Sequence, residues 1–336
     1  MGYMHARIWN LPYLSFAEDS MLASEQIMAF RRDGYLVVED LISPAVRHAV
    51  VAEYTDLMDR LYAEWRQRGQ VPELAPDATF WDKLDAAVQA KIEWYQPFDI
   101  SLPADGITAE TPMHFGPAVF DMITSDRILN TVECLIGSEI TSNPIQHVRI
   151  KPPERDVQHG ETRAHIVSTD WHQDRAVTLE AADETEMVTV WLAITDATVE
   201  NGCLQVKPGR TTGMIPHCAL TQLGIREKFL PKQDAVPAPV KAGGGVIFHP
   251  LTPHASLRNL SNEYRWSFDL RYNVTGQNTG RDHFPDFVAR SRTNPSAEVR
   301  DWQVWKDMWE ATRADIAQSK HINQHGRWSA DGPYCA

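Results

Sequence analysis

Three side chains in two well-separated segments have the types and spacing to share one metal ion. His172 and Asp174 lie two residues apart, so on an extended chain they project to the same side. That pattern alone is weak, because a chain with 13 histidines contains roughly one H-x-D by chance. The support comes from His254, which follows a glycine turn and a hydrophobic run 80 residues after Asp174. Two imidazoles and one carboxylate leave coordination positions open, which suits Fe(II) better than a closed zinc site.

A basic residue follows the second histidine. Arg265 lies eleven residues after His254, and Ser267 follows on the same face of a predicted strand. A dicarboxylate that chelates the ion at one end needs a cation for its distal carboxylate, and a guanidinium offers two charge-assisted hydrogen bonds. The Ser267 hydroxyl would add a donor. The alternative is a surface arginine, but the neighbours Trp266 and Phe268 predict a partly buried strand.

The elements that must position these residues change from helices to strands along the chain. A helix is predicted from Ser24, as its N-cap, to Gly34, and another from Ser43, followed by helical stretches over residues 82–94 and 120–135. Strands are predicted over residues 35–38, 145–151, 188–194, 203–207, 245–248 and 266–273. Short strands separated by Gly, Pro and Asn turns are typical of a double-sheet jelly roll or barrel. A Trp-rich helix over residues 302–316 is predicted to pack on it.

Composition and charge exclude some classes of binding partner. The formal charge of −13, without a Lys/Arg run, argues against nucleic acid and anionic bilayers. Residues 1–21 hold no continuous hydrophobic stretch, so neither a signal peptide nor a membrane span is expected. We therefore expect a cytoplasmic location. The cysteines are too scattered for a disulfide framework, and all are expected to be reduced thiols; they are Cys134, Cys203, Cys218 and Cys335.

Several of these motifs together resemble the phytanoyl-CoA dioxygenase family of iron- and 2-oxoglutarate-dependent oxygenases. The resemblance runs from about residue 25 to 275 and includes the opening Phe-Arg-Arg-Asp-Gly-Tyr at residues 30–35. It is carried further by Trp-His-Gln-Asp at 171–174, Trp-Leu-Ala at 191–193, Asn-Gly-Cys-Leu at 201–204 and the stretch from His254 to Arg265. Each motif is common singly, and their combination is specific.

The resemblance implies a fold and a chemistry. The fold would be mainly β with α, a double-stranded β-helix (jelly roll, cupin-like) flanked by helices at both ends. His172, Asp174 and His254 would bind Fe(II), and Arg265 would anchor 2-oxoglutarate, with O₂ as the oxidant. Gln146 stands where the family often places a polar contact to 2-oxoglutarate, and an ordinary solvent-facing strand residue is its alternative. The expected reaction is hydroxylation, or another oxidation, of an unactivated C–H bond in a small or mid-sized metabolite, with release of succinate and CO₂.

One oxygenase domain is expected over residues 1–336, with a mostly helical layer at 1–140, the β-helix core and metal site at 141–280, and a helical tail at 281–336. Two segments depart from the family pattern. Residues 206–211 read Val-Lys-Pro-Gly-Arg-Thr where the family usually has Ser-His after the glycine, so a different substrate is expected at this loop. The long stretch 156–169 before the metal motif could act as a lid.

Three other functions stay open at this point. A cupin-like metalloenzyme that does not use 2-oxoglutarate would keep the three ligands and need no Arg265. A catalytically silent binding protein could share the fold. A structural zinc protein would require a fourth ligand, for which His249 and His165 are the candidates. The substrate is an unidentified small molecule, and assembly into a homo-oligomer is left open.

Overall fold

The computed structural model describes residues 22–103, 105–209, 211, 213–319 and 327–335. The α-helices in these ranges are α1 (Ser24–Asp33), α2 (Pro44–Gln67), α3 (Phe80–Gln89), α4 (Tyr95–Phe98), α5 (Pro117–Ile123), α6 (Asp126–Ile136) and α7 (Trp302–Gln318). The strands are β1 (Tyr35–Val38), β2 (Glu139–Lys151), β3 (Met187–Ala193), β4 (Leu204–Val206), β5 (His217–Ala219), β6 (Leu223–Ile225), β7 (Val236–Ala238), β8 (Gly245–Phe248), β9 (His254–Ser256), β10 (Arg265–Val274) and β11 (Phe287–Ser291).

Two antiparallel sheets form the body of the fold. Six strands pair in the order β1-β8-β3-β10-β2-β11, and a smaller sheet has the order β7-β4-β9. Side chains from both sheets pack together between them, among them Trp191, Leu204, Ala238 and Val246. The predicted fold class, a double-stranded β-helix with flanking helices, is confirmed. Strands β1 and β11 join the large sheet from outside the range 141–280.

Strand β10 carries apolar side chains on one face and polar side chains on the other. Trp266, Phe268, Leu270 and Tyr272 belong to the core under the helices. The side chains between them point to the opposite face, since successive residues of a strand face opposite ways. That inner row is polar and buried, with exposures of 0 to 5%; it consists of Arg265, Ser267, Asp269, Arg271 and Asn273. A buried polar row requires partners, so this strand positions the chemistry of the barrel interior.

The N-terminal helices cover the outer face of the large sheet. Tyr54 of α2 is fully buried, lies 5.1 Å from the ring of Trp266 and donates a hydrogen bond to the Phe98 carbonyl at 3.0 Å. Burying such aromatic faces supplies much of the hydrophobic driving force. These helices therefore hold β10 from outside, while its polar residues face the interior.

A glycine turn lets β8 enter between β1 and β3. A Cβ on Gly244 would lie 2.8 Å from the Val38 carbonyl oxygen, and one on Gly245 would lie 2.6 Å from that of Trp191. No side chain fits at either position. The close approach aligns β8 and the segment after it, which ends at His254.

Some predicted helix boundaries were wrong. The N-cap of α1 is Ala23 rather than Ser24, and its backbone N–H is capped by the Gln26 side chain. The stretch predicted at 82–94 begins earlier, at Phe80, because Thr79 and Asp82 cap each other. The helix predicted at 120–135 is two helices, α5 and α6, separated at residues 124–125.

The prediction that all four cysteines are reduced was wrong for one pair. Cys218 and Cys335 form a disulfide across 117 residues, whereas Cys134 and Cys203 are free. The pairing depends on the return of residues 327–335 to the barrel. There, the Arg327 guanidinium contacts both carboxylate oxygens of Asp183 at 2.6 and 2.7 Å. Such docking over long range leaves no trace in cysteine spacing.

Reducing this disulfide is expected to lower the free energy of unfolding by about 2–4 kcal/mol, because a link between distant residues restricts the unfolded chain. Urea unfolding with and without a thiol reductant measures the difference. The double variant Cys218→Ser, Cys335→Ser should match the reduced parent, and Cys134→Ser should keep the full difference. Equal stability of oxidised and reduced parent would contradict the linkage.

None of the helices in the described ranges is long and apolar enough to cross a membrane. The predicted lack of a signal peptide concerns residues 1–21, which lie outside the described residues, as does Arg210 in the 206–211 segment.

Candidate metal centre and co-substrate cavity

The three predicted ligands meet inside the barrel. His172 and His254 face each other across two backbone hydrogen bonds of 3.0 Å, each amide donating to the other's carbonyl. Asp174 Oδ1 lies 3.6 Å from His172 Nε2 and 3.8 Å from His254 Nε2. All three side chains are buried, and their ligand atoms lie within 4.8 Å of one another. A backbone bridge thus brings together two segments 80 residues apart.

Hydrogen bonds orient both imidazoles for a metal. His172 Nδ1 donates to the Asp170 carbonyl at 2.8 Å, and His254 Nδ1 donates to the Thr252 carbonyl at 3.0 Å. A carbonyl only accepts, so Nδ1 carries the proton and the Nε2 lone pair is available. Burial, and then the neighbouring His172, lower the pKa of His254 to about 4. The His254 ring is therefore neutral at pH 7, as a ligand must be.

Asp174 is held as a carboxylate by two residues of the large sheet. Arg271 Nη2 of β10 donates to Oδ1 at 2.8 Å, and the Thr189 hydroxyl of β3 donates to Oδ2. Burial alone would raise the pKa of Asp174, but Arg271 and the two imidazoles outweigh it and keep this pKa well below its usual value. The carboxylate is charged and fixed in orientation before a metal arrives.

Thr189→Val is expected to weaken metal binding about tenfold, because hydrogen bonds to ligating carboxylates tune affinity in this range. Valine keeps the shape of the side chain and removes only the donor. Titration with Fe(II) under argon, followed by calorimetry, measures the affinity. Thr195→Val, which removes a hydroxyl that only accepts from the Trp266 amide, is the matched control. An affinity equal to that of the parent would show that Arg271 alone holds Asp174.

The cationic side chain of Arg265 lines the same narrow cavity as the three metal ligands. Arg265 is completely buried, its guanidinium lies 5.0 Å over the Trp191 ring, and its Nη1 donates to Ser267 Oγ at 3.1 Å. Its Nε and Nη2 are buried and have no hydrogen-bond partner among the described residues. These two donors form one edge of the fork, the edge that binds a carboxylate in bidentate fashion. Leaving them unsatisfied is costly, so an anionic ligand is expected there.

Lys151 is a cavity residue that sequence reasoning missed. In the sheet register it lies directly opposite Arg265, and its Nζ donates to Ser256 Oγ at 2.6 Å. Its pKa is far below the usual value, first because it is buried and then because Arg265 and Arg149 are near. The cavity measures only about 20 Å³, so a five-carbon diacid enters only if side chains shift.

The structure also places Ser267 and Gln146, the two other residues predicted to contact 2-oxoglutarate. Ser267 is buried beneath Arg265 and accepts its hydrogen bond, so in this structure it positions the guanidinium. Gln146 is buried in β2, donates to Ser142 Oγ at 2.8 Å and is not among the residues that line the cavity. Their contact to a co-substrate stays a prediction.

The nominated fourth zinc ligands do not join the triad in the described chain. His165 belongs to a separate group with Asp99 and His147, and His249 Nδ1 accepts from the Leu251 amide. Three ligands and a buried unpaired guanidinium edge fit Fe(II) with a chelating diacid better than they fit a closed zinc site.

A second cavity, which we call the chamber, meets the metal centre at His172. It measures about 300 Å³ and is lined by apolar side chains such as Ile145, Leu179 and Trp328, together with arginines including Arg271 and Arg281. Trp328 comes from the returning tail, where its Nε1 donates to the Ala176 carbonyl at 3.0 Å. His172, one of the residues that would hold the ion, therefore lines both the cavity of Arg265 and this chamber.

Comparison with known proteins agrees with this arrangement. The family model described as phytanoyl-CoA dioxygenase (PhyH) matches residues 30–267. A phytanoyl-CoA dioxygenase domain-containing protein 1 of Danio rerio is 27% identical over 280 residues, 73% of this chain and 88% of the relative. The peroxisomal phytanoyl-CoA dioxygenase of Bos taurus is 24% identical over 324 residues, 91% of this chain and 86% of the relative.

A solved structure shares the fold. The apo form of the non-heme monooxygenase ThoJ superposes with a TM-score of 0.55 at 18% identity, covering 87% of this chain and 98% of that one. The match to the family model spans most of the chain and includes every ligand of the triad as well as Arg265. The chain therefore belongs to the phytanoyl-CoA dioxygenase family, and is a non-haem oxygenase that depends on Fe(II), O₂ and 2-oxoglutarate.

Proposed function

We propose that this chain hydroxylates, or otherwise oxidises, an unactivated C–H bond of a small or mid-sized metabolite and releases succinate and CO₂. The observation that carries the proposal is the unpaired edge of Arg265, buried in the cavity that also holds His172, Asp174 and His254. A buried guanidinium edge without an acceptor is costly, and a ligand carboxylate would remove that cost.

Different residues would hold the metal ion and orient the co-substrate. His172, Asp174 and His254 would bind the ion on one face, and Arg265 would receive the distal carboxylate of 2-oxoglutarate. When bound, the iron and the oxoacid activate O₂ for attack on a C–H bond. Trp191 and Phe248 line the cavity and help keep water away from the ion.

The chamber is the proposed position of the metabolite. It meets the triad at His172 and is lined by apolar side chains as well as arginines and histidines, so it can hold a C–H bond close to the ion. The relatives are named for a CoA thioester, whereas the net charge of −13 disfavours a substrate with several phosphates. We therefore propose a smaller metabolite.

Succinate release is the direct test. Purified protein with Fe(II), ascorbate, O₂ and 2-oxoglutarate should form succinate, slowly without substrate and faster with it. If the parent neither binds 2-oxoglutarate nor converts it, and if His254→Ala behaves identically, the protein is a silent binder on this fold. Binding of iron without 2-oxoglutarate would favour the cupin-like metalloenzyme, for which the Arg265 edge has no use.

A further inference from the structure

A second group of polar side chains lies beside the metal centre. Asp99, His147 and His165 bring their ligand atoms within 4.8 Å of one another, and the Tyr95 hydroxyl lies among them. Asp99 Oδ2 is 2.8 Å from His147 Nδ1 and 2.7 Å from the Tyr95 hydroxyl, which is 2.7 Å from His165 Nδ1. The residues come from α4, the residue after it, β2 and the 156–169 stretch, so the fold has assembled them.

The hydrogen bonds determine where the protons lie. Asp99 is buried, and its Oδ1 accepts from two backbone amides at 2.9 Å. A carboxylate only accepts, so the Tyr95 hydroxyl and His147 Nδ1 both donate to Oδ2. Because the Tyr95 hydroxyl donates its hydrogen bond to Asp99, its oxygen accepts from His165 Nδ1. Each imidazole therefore carries a proton on Nδ1, so that Nε2 is the acceptor atom of the neutral ring.

Nε2 of His147 and Nε2 of His165 belong to rings that line the chamber. His147 and His165 line it together with His172, and no hydrogen-bond partner contacts either Nε2 among the residues of the described ranges. Burial first, and then His147 and nearby cations, hold the pKa of His165 well below its usual value. That ring stays neutral and keeps its acceptor.

The rest of the chamber wall leaves few other acceptors. The side chains that line it are apolar or cationic apart from one threonine and the histidines, and none in the described chain is acidic. A hydroxyl group on a molecule in the chamber therefore meets few side-chain acceptors other than the imidazoles. The ring centroids of His147 and His165 are 4.7 Å apart, so the two imidazoles lie side by side in the chamber wall.

We propose that His147 and His165 are substrate-binding residues whose Nε2 atoms accept hydrogen bonds from hydroxyl groups of the substrate, and so fix which C–H bond faces the metal. Asp99 and Tyr95 are positioning residues that set the two tautomers. This inference rests on the proposed function for the identity of the chamber, and it adds the chemical class of the substrate.

A metal ion at this group is the competing interpretation. An ion that used Asp99 Oδ2 would compete with the hydrogen bonds that this oxygen already accepts from Tyr95 and His147. The hydrogen-bonded arrangement is therefore favoured, and metal binding becomes an outcome of the test.

The first measurement reads the tautomers. In protein with ¹⁵N-labelled histidine, His147 and His165 should both show a protonated Nδ1 and an unprotonated Nε2. Tyr95→Phe should change the protonation pattern of the His165 ring and leave that of His147 unchanged. The variant removes the hydroxyl that links His165 to Asp99, whereas His147 contacts Asp99 directly. Asp99→Asn should change both. A purely structural role would move neither pattern selectively, and a protonated Nε2 on both rings in the parent overturns the proposal.

The second measurement uses phenol and fluorobenzene, two probes of similar size of which only phenol donates. Protein loaded with Fe(II) and 2-oxoglutarate, without O₂, should bind phenol about fivefold to tenfold more tightly, the effect of roughly one net hydrogen bond. His147→Phe and His165→Phe should each reduce this preference. His159→Gln, at an exposed histidine, is the matched control and should retain it.

Each outcome decides the inference. Equal binding of the two probes by the parent, or an unchanged preference in both Phe variants, overturns it. So does a second equivalent of Zn(II) that binds the iron-loaded parent and is lost in both variants, since the group would then be a metal site. Failure to release succinate would remove the proposed function, while the phenol preference would still report on the two imidazoles.

Discussion

His254→Ala is expected to lower succinate release on the order of 1000-fold, about 4 kcal/mol of transition-state stabilisation. The variant leaves the ion with His172 and Asp174 alone, and Asp174 already shares its charge with Arg271. Iron content after anaerobic desalting should fall in parallel, because the lost ligand is neutral and aimed at the ion. Coupled succinate assays and elemental analysis measure the two effects.

The control for this variant is His159→Ala, which removes an exposed imidazole. It should keep both iron and turnover. Thermal unfolding of His254→Ala should remain cooperative, since its backbone bridge to His172 does not involve the side chain. Normal turnover by His254→Ala would contradict the assignment of the metal centre.

Arg265→Ala is expected to weaken 2-oxoglutarate binding by about 100- to 1000-fold, because a bidentate contact contributes two charge-assisted hydrogen bonds of about 1.5–3 kcal/mol each before compensation. Iron affinity should change less than about threefold, since Arg265 contacts Trp191 and Ser267 rather than the ligands. Calorimetry with 2-oxoglutarate, and separately with Fe(II), distinguishes the two affinities.

Arg265→Lys should recover part of the binding, since a lysine keeps the charge and loses the fork. The control is Arg258→Ala, whose guanidinium is exposed and pairs with Glu154. Equal losses of iron and 2-oxoglutarate in Arg265→Ala would mean that the guanidinium supports the barrel rather than the co-substrate.

The metal ligands could be predicted because each lies in a local pattern that the fold preserves. His172 and Asp174 are two residues apart on an extended segment, and His254 follows a glycine turn that only glycine can make. The polar row of β10 is also visible in the sequence, where polar residues alternate with large apolar ones. Arg265 was recognised from it, but Asp269 and Arg271, which belong to the same row, were not.

The remaining features depend on register and long-range docking. Lys151 reaches the cavity because β2 pairs with β10 in one register, and a shift of a single residue would turn it away. Asp99 and His165 lie in irregular segments whose approach depends on packing rather than periodicity. The Cys218–Cys335 bond requires a tail position that ion pairs and Trp328 determine.

The returning tail has a practical consequence for anyone who assays this enzyme. Trp328 lines the chamber and lies seven residues before Cys335, whose link to Cys218 depends on the oxidation state of the preparation. Purification in a thiol buffer would therefore loosen one wall of the chamber and leave His172, Asp174, His254 and Arg265 in place. We expect two batches that differ only in reductant to consume 2-oxoglutarate alike while coupling it to product with unequal yield.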